Sequence, residues 1–316
     1  MYRESIKVLD CTIRDGGLVN KHKFTHEFVK RSYEGVSKAG VDYFEIGYIN
    51  SPNLFSTSEY GPWKFCAQAD IRKVTDGVPN GAKISVMADV GRVEMDAVPF
   101  AHESAFHMVR VASYIKGVDK AIALANRFHE MGYETCINLM ALSRDQGPEL
   151  DEAFAQVEKE SQAKVIYLVD SFGSMYQEDI EKLVARARQH IKTKELGFHG
   201  HNNQQLAYSN TIEAIIHGVN YLDATIYGMG RAAGNCTLEL LLGFLKNPKF
   251  DIRPVLDLIA NDYLELRKTM EWGYIIPHMI AGQLNQHPQD ALDLRKTDER
   301  DAYRAFYERL VSSGMD

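Results

Sequence analysis

Short apolar runs rich in β-branched residues recur along the chain, separated by longer amphipathic stretches. They fall at 6–12 (IKVLDCT), 41–49 (VDYFEIGYI), 82–90 (AKISVMADV), 105–113 (AFHMVRVAS), 133–142 (YETCINLMAL), 163–172 (AKVIYLVDSF), 195–201 (ELGFHGH) and 219–228 (VNYLDATIYG). Runs this short, with few polar interruptions, predict strands buried on both faces of a parallel sheet. The stretches between them, such as VDKAIALANRFHEMG, QEDIEKLVARARQHI and LAYSNTIEAIIHG, carry apolar residues at helical period. Gly40, Gly132 and Gly218 stand just before the next strand, where a left-handed helix stop makes a short turn.

Eight strand–helix alternations fit a closed (β/α)8 TIM barrel, whose usual size is about 250 residues. An open doubly wound sheet would be expected to carry a glycine-rich GxGxxG turn after its first strand, and DCTIRDGGLVN lacks one. The expected organisation is a catalytic barrel over 1–248. A short, mostly helical C-terminal extension over 249–316 would serve as a cap or dimerisation segment, giving a homodimer.

The ends of the predicted strands are polar in a way that a purely structural barrel does not require. In order they offer Arg14 and Asp15, Glu45, Asp89, Arg110, Asn138, Asp170 with Ser171, His199 with His201, and Asp223 with Thr225. Barrel enzymes gather their chemistry at this rim, so Glu45, Arg110, Asp170 and Ser171 are candidate substrate-binding residues. Each also has a plainer reading: Asp15 as a turn residue before two glycines, and Asp170 with Ser171 as a helix cap. The histidines of GFHGHNN flank a single glycine, so on a strand both imidazoles face one side. Strands one, eight and seven are neighbours in a closed barrel, which brings Asp15 towards His199 and His201. One carboxylate and two imidazoles suit a divalent ion, Mn²⁺ foremost, with Zn²⁺, Co²⁺ or Fe²⁺ as alternatives and Mg²⁺ less suited to nitrogen ligands.

Composition narrows the function classes. Of the 316 residues 45% are hydrophobic and 25% charged, the balance of a globular protein with a sizeable core. The net charge is −7 and no long basic run occurs, so neither nucleic acid nor an anionic membrane is an expected partner. No signal-like or membrane-spanning run is present, and the four cysteines, Cys11, Cys66, Cys136 and Cys236, are scattered. Reduced thiols and a cytoplasmic location are expected.

LDCTIRDGG on the first strand, GFHGHNN on the seventh and YLDATIYGMGRAAGNCTLELLL on and after the eighth resemble the metal-dependent aldolase–lyase barrels. That group includes 4-hydroxy-2-oxovalerate aldolase, hydroxymethylglutaryl-CoA lyase and the isopropylmalate and citramalate synthases; the aldolases are most similar. The resemblance spans about residues 6–245. It implies one divalent ion held by Asp15, His199 and His201, with Asn235 at or near it. It further implies Arg14 as the catalytic arginine facing the substrate carbonyl, and a 2-oxo acid such as pyruvate as substrate. An aldehyde dehydrogenase partner is conceivable on the same ground.

The chemistry would be cleavage or formation of a C–C bond beside a ketone, with the developing enolate stabilised by the ion and a fixed guanidinium. A Schiff-base aldolase would need a lysine near the rim, and no strand end offers one. In the aldolases of this group a histidine two positions beyond the Arg-Asp-Gly acts as base; here Leu18 stands there. His22, Tyr48 and Tyr274 are the substitutes considered, with His278 in the same EWGYIIPH segment. A Claisen-type acyltransferase using acetyl-CoA is an alternative, as is a metal-retaining binding protein without turnover.

Overall fold

The computed structural model describes residues 3–313. Eight parallel strands close into a barrel in sequence order: β1 (Lys7–Asp10), β2 (Tyr43–Tyr48), β3 (Lys83–Asp89), β4 (Met108–Ser113), β5 (Glu134–Leu139), β6 (Val165–Asp170), β7 (Glu195–Gly200) and β8 (Tyr221–Ala224). Closure comes from β1 pairing with β8 in the register Lys7 to Tyr221 through Asp10 to Ala224. No helix among the described residues is long and apolar enough to cross a membrane.

The two-residue period of the strands sorts their side chains. Val8, Phe44, Ile84, Val109, Ile137 and Ile166 point outward into the main core between sheet and helices. Leu9, Tyr43, Met108, Cys136, Val165, Tyr167 and Tyr221 form a separate cluster that fills the barrel interior. Two positions along from Tyr43, Met108 and Tyr221, on the same face, stand Glu45, Arg110 and Asp223. A charged layer therefore lies on an apolar one, below the mouth.

The first strand is shorter than its apolar run. Asp10 turns its carboxylate on the next residues, accepting the Thr12 N–H (3.2 Å) and hydroxyl (2.6 Å), and helix α1 (Thr12–Asn20) begins at once. Thr12 Oγ1 accepts the Ile226 N–H at 2.8 Å, which ties α1 to the segment after β8. Arg14 and Asp15 are thus helical, and the two glycines beyond them are not a turn. Gly17 is required by contact: a Cβ there would lie 2.2 Å from His22 Nδ1. The last strand is short as well, since Ile226–Gly228 forms a 3-10 turn.

The C-terminal segment divides in two. Tyr263 and Trp272 pack into the main core, whereas Ile280, Ala281, Ala291, Leu294 and Phe306 make a small apolar cluster of their own. This second part bends over the barrel mouth. Asn203 Nδ2 donates to the His278 carbonyl (3.0 Å) and Arg144 donates to that of Asn285 (2.6 and 2.8 Å).

Candidate functional site

At the C-terminal end of the barrel opens a cavity of about 600 Å³, lined among others by Arg14, Asp15, Leu18, Tyr48, Lys64, Asn138, Ser171, His199, His201, Arg231 and His287. Its volume is that of an ordinary small-molecule site.

A chain of alternating charges runs beneath it. Asp15 Oδ1 accepts Arg14 Nη1 at 2.7 Å, and Arg14 Nε donates to Glu45 Oε2 at 2.7 Å. Glu45 Oε2 also meets Arg110 Nη1 at 3.1 Å, and Arg110 Nη2 reaches Asp223 Oδ2 at 2.5 Å. Asp223 Oδ2 then pairs with His199 Nδ1 at 2.8 Å. The Arg110 guanidinium lies 4.1 Å over the Tyr167 ring. All these side chains are buried, where an isolated charge would be prohibitive and a bonded alternating row is tolerated. Three carboxylates face two guanidiniums, an excess of negative charge that a bound cation would neutralise.

Asp15 is held from two sides. Its Oδ2 accepts Asn235 Nδ2 at 2.6 Å and the Arg231 N–H at 3.3 Å. Burial alone would raise its carboxyl, but Arg14, His201 and His199 hold it well below the usual carboxylate range. His201 is the opposite case: burial pushes its imidazole down to about 3, so it is neutral at pH 7. The two imidazoles meet edge to face with ring centres 5.1 Å apart. Asn235 arrives beside them because His201 and Asn235 form an antiparallel bridge. Its Oδ1 is buried with no hydrogen-bond partner.

These groups suit a divalent ion. With Nδ1 of His199 committed to Asp223, Nε2 carries the free lone pair, the usual means by which a carboxylate orients a ligating histidine. The predicted ligands are not, however, gathered into a closed set. Among the described residues the trio whose ligand atoms lie within 4.8 Å of one another is Cys11, His199 and Asp223. Asp15 lines the same cavity but is not part of that trio; its Oδ1 is engaged by Arg14 and its Oδ2 by Asn235. Cys11 is a poor ligand as it stands: burial pushes its thiol well above 9.0, and Sγ–H donates to the Ala224 carbonyl at 3.5 Å.

Several expectations need correction. Glu45 and Arg110 are not on the cavity wall; β2 and β4 run on to Tyr48 and Ser113, so both lie one layer below the rim, paired with each other. Their further partners are Arg14 for Glu45 and Asp223 for Arg110. Asp170 spends its carboxylate on the Ser174 and Met175 N–H groups, both at 3.1 Å, and so braces the turn after β6; the helix that follows is capped by Tyr176 instead. Ser171 does line the cavity, but its Oγ accepts the Ala141 N–H at 2.8 Å.

Of the substitutes for the missing base, Tyr48 lines the cavity beside Leu18. An irregularity in the β2–β3 register between Glu45 and Gly47 brings it round to the mouth. Burial keeps its phenol protonated. His22 is buried behind it, edge-on at 5.3 Å, neutral with a value lowered to about 3 by burial. Tyr274 is exposed and His278 buried, and neither lines the cavity. From the C-terminal segment it is His287 that does.

The sequence reading missed Lys64. It lies in the turn Pro62–Lys64 after β2, not at a strand end, yet it is only 6% exposed and opens onto the cavity. The aromatic rings around its Nζ are those of Tyr48, Phe55 and Tyr60, not of its neighbours Trp63 and Phe65, so adjacent residues gave no signal.

The HMGL-like family model matches residues 5–270. The chain is 31% identical over 261 residues to 4-hydroxy-2-oxovalerate aldolase of Thermus thermophilus, covering 81% of this chain and 74% of that one. It is 29% identical to the Bacillus thuringiensis protein of the same name, covering 98% and 93%. Among solved structures it is similar to the N-terminal domain of a protein described as an aldolase from Bacteroides vulgatus. That match has a TM-score of 0.82 at 28% identity and covers 95% of this chain and all of that one.

Proposed function

Because the chain belongs to the HMGL-like family, we propose that it is a divalent-metal-dependent C–C lyase. In this reading it cleaves a 4-hydroxy-2-oxo acid to pyruvate and an aldehyde, or runs the condensation. The observation that carries the proposal is the Arg14–Asp15 pair facing the same cavity as His199 and His201. Asp15, His199, His201 and Asn235 would hold the ion, Mn²⁺ foremost, which would supply Lewis-acid polarisation of the 2-oxo group.

The protein's own contribution follows from its geometry. Arg14 has Nε and Nη1 fixed by Glu45 and Asp15, so the guanidinium cannot swing away, and Nη2 remains for a substrate oxygen on which charge develops. A donor fixed in advance where charge appears is the largest kind of catalytic contribution. Leu18, Met87, Met140 and Val169 give the wall an apolar band that limits water around the reacting carbons. Tyr48 is a titratable group on the wall packed against Leu18, and its phenol can relay the proton, giving its own to the enolate carbon and taking up the one released from the 4-hydroxyl.

A retro-aldol screen with Mn²⁺, in which pyruvate release is coupled to lactate dehydrogenase, tests the reading. Turnover that depends on added metal and disappears in a His199→Ala, His201→Ala double variant is expected. No pyruvate from any 4-hydroxy-2-oxo acid refutes it.

A further inference from the structure

The ammonium group of Lys64 is placed without a protein partner. No hydrogen bond or ion pair to Nζ occurs among the described residues, although an ammonium carries three donors. What surrounds it is aromatic: Nζ lies 4.7 Å from the Tyr48 ring centre, 4.3 Å from that of Phe55 and 5.4 Å from that of Tyr60. Aromatic faces compensate part of the lost hydration of a cation but satisfy none of its N–H donors. The neighbouring carboxylate, Asp89, is taken by Arg92 at 3.0 Å. The turn that carries Lys64 is rigid. Trp63 Nε1 donates to the Phe24 carbonyl at 2.8 Å, and the turn seats so closely on Gly47 that a Cβ there would be 2.0 Å from the Trp63 oxygen. A long, entropically costly side chain has been fixed with its charge facing the cavity.

The cavity as a whole carries the same bias. Its wall has the cationic side chains Arg14, Lys64, Arg92, Lys116 and Arg231 against the carboxylates Asp15 and Asp89. Arg14 and Arg92 are paired with those two, which leaves Lys64, Lys116 and Arg231 uncompensated. The cations also have places. Arg231 follows β8, on the arc of β7, β8 and β1 that holds Asp15 and the histidines; Lys64 and Lys116 follow β2 and β4, on another arc of the ring. Leu18, Met87, Ala112, Met140 and Val169 add apolar surface to the wall.

We infer that the cavity takes a substrate with two anionic ends: a 2-oxo acid at the β7–β8–β1 arc, an aliphatic middle, and a distal carboxylate or phosphate bound by Lys64, with Lys116 at the rim. The near end of this assignment rests on the lyase reading above; the distal end rests on Lys64 alone. Burial lowers the lysine's pKa while Asp89 raises it, and an arriving anion would favour the charged form further.

The test compares two five-carbon acids, 2-oxoglutarate and 2-oxopentanoate, which differ in the distal carboxylate, by calorimetric titration of the Mn²⁺-supplemented protein. At least tenfold tighter binding of 2-oxoglutarate is expected, because tenfold corresponds to about 1.4 kcal/mol, no more than one hydrogen bond to a charged group usually contributes. In Lys64→Met the advantage should fall below twofold, with 2-oxopentanoate affinity little changed. Acetate and methyl phosphate, titrated into protein saturated with 2-oxopentanoate, distinguish a carboxylate subsite from a phosphate one. Lys64→Met removes an uncompensated buried charge, so its melting temperature should hold or rise; Lys64→Gln repeats the test with a polar side chain. Equal affinities for the two acids, failure of both to bind, an advantage that survives both variants, or a steep fall in melting temperature in both would each overturn the subsite. Binding is read without turnover. An inactive protein that prefers the dianion thus refutes the lyase and keeps the subsite, whereas an active lyase with equal affinities does the reverse.

Discussion

Two arrangements compete for an ion around His199, and Asp223→Asn with Cys11→Ala separates them. In the proposed site Asp223 acts behind the ligands, fixing the tautomer of His199 through the 2.8 Å contact to Nδ1. Loss of such a partner costs about 10–100-fold in metal affinity, or about 1.4–2.7 kcal/mol. Asp223→Asn also strips Arg110 of one of its two carboxylates. Breaking a buried pair costs about 3–5 kcal/mol, and the lower end applies because Glu45 remains. Cys11→Ala should leave affinity within about threefold. Ionising even an unshifted thiol of 9.0 at pH 7 costs about 2.7 kcal/mol, and burial of Cys11 adds to this. Asp15 is already ionised and His201 already neutral, so neither of those two ligands has a proton to give up to Mn²⁺. Co²⁺ substitution reports any thiolate by its near-ultraviolet absorption, and titration calorimetry gives the affinity of each variant. A thiolate band and loss of binding in Cys11→Ala would refute the proposed ligand set in favour of Cys11, His199 and Asp223.

Arg14→Ala should lower kcat by about 10²–10³, the usual effect of losing one preorganised donor, in the metal-supplemented retro-aldol assay; near-wild-type turnover would reduce Arg14 to a structural partner of Glu45. Leu18→His should raise retro-aldol turnover at least about tenfold by restoring a proton-transfer group within reach of the substrate, and an unchanged rate would place proton transfer elsewhere, with Tyr48→Phe the next variant to assay. His278 is buried and its imidazole lowered to about 4, chiefly by burial. The unfolded chain therefore takes up the proton first, and stability is lost as pH falls from about 6.5 towards 4 at about 1.4 kcal/mol per unit. Denaturation of wild type and His278→Gln at pH 7.5 and 5.0 should show the variant gaining about 2 kcal/mol relative to wild type at the lower pH; equal differences at the two pH values would contradict this.

The barrel was legible because eight buried strands each left an apolar run, three of them preceded by a glycine-stopped helix at Gly40, Gly132 and Gly218, a signal set by local chemistry. The depth of each polar side chain was not. Glu45 and Arg110 read as strand ends because the runs gave no sharp terminus, and one pair of residues decides whether a group touches substrate or supports another that does. Asp10 illustrates the same limit. A carboxylate that captures Thr12 converts the end of a strand into the start of a helix, and nothing in apolar periodicity reports it. Lys64 escaped because its burial depends on Phe55 and Tyr60, which reach it only after the loop beyond β2 has folded.

The row of charges from Asp15 to His199 draws its members from the segments after or within β1, β2, β4, β8 and β7. No half of the chain owns it. A partly folded barrel would hold unbalanced fragments, Arg14 with Glu45 on one side and Asp223 with His199 on the other, and only circular closure brings Arg110 between them. Affinity for a cation at the proposed site would therefore be a property of the finished ring and of no folding fragment. An ion with that selectivity acts as a clasp: at a free concentration a hundred times its dissociation constant it would bias closure by about 2.7 kcal/mol. The supply of metal would then govern how far the ring stays shut as well as how fast it works.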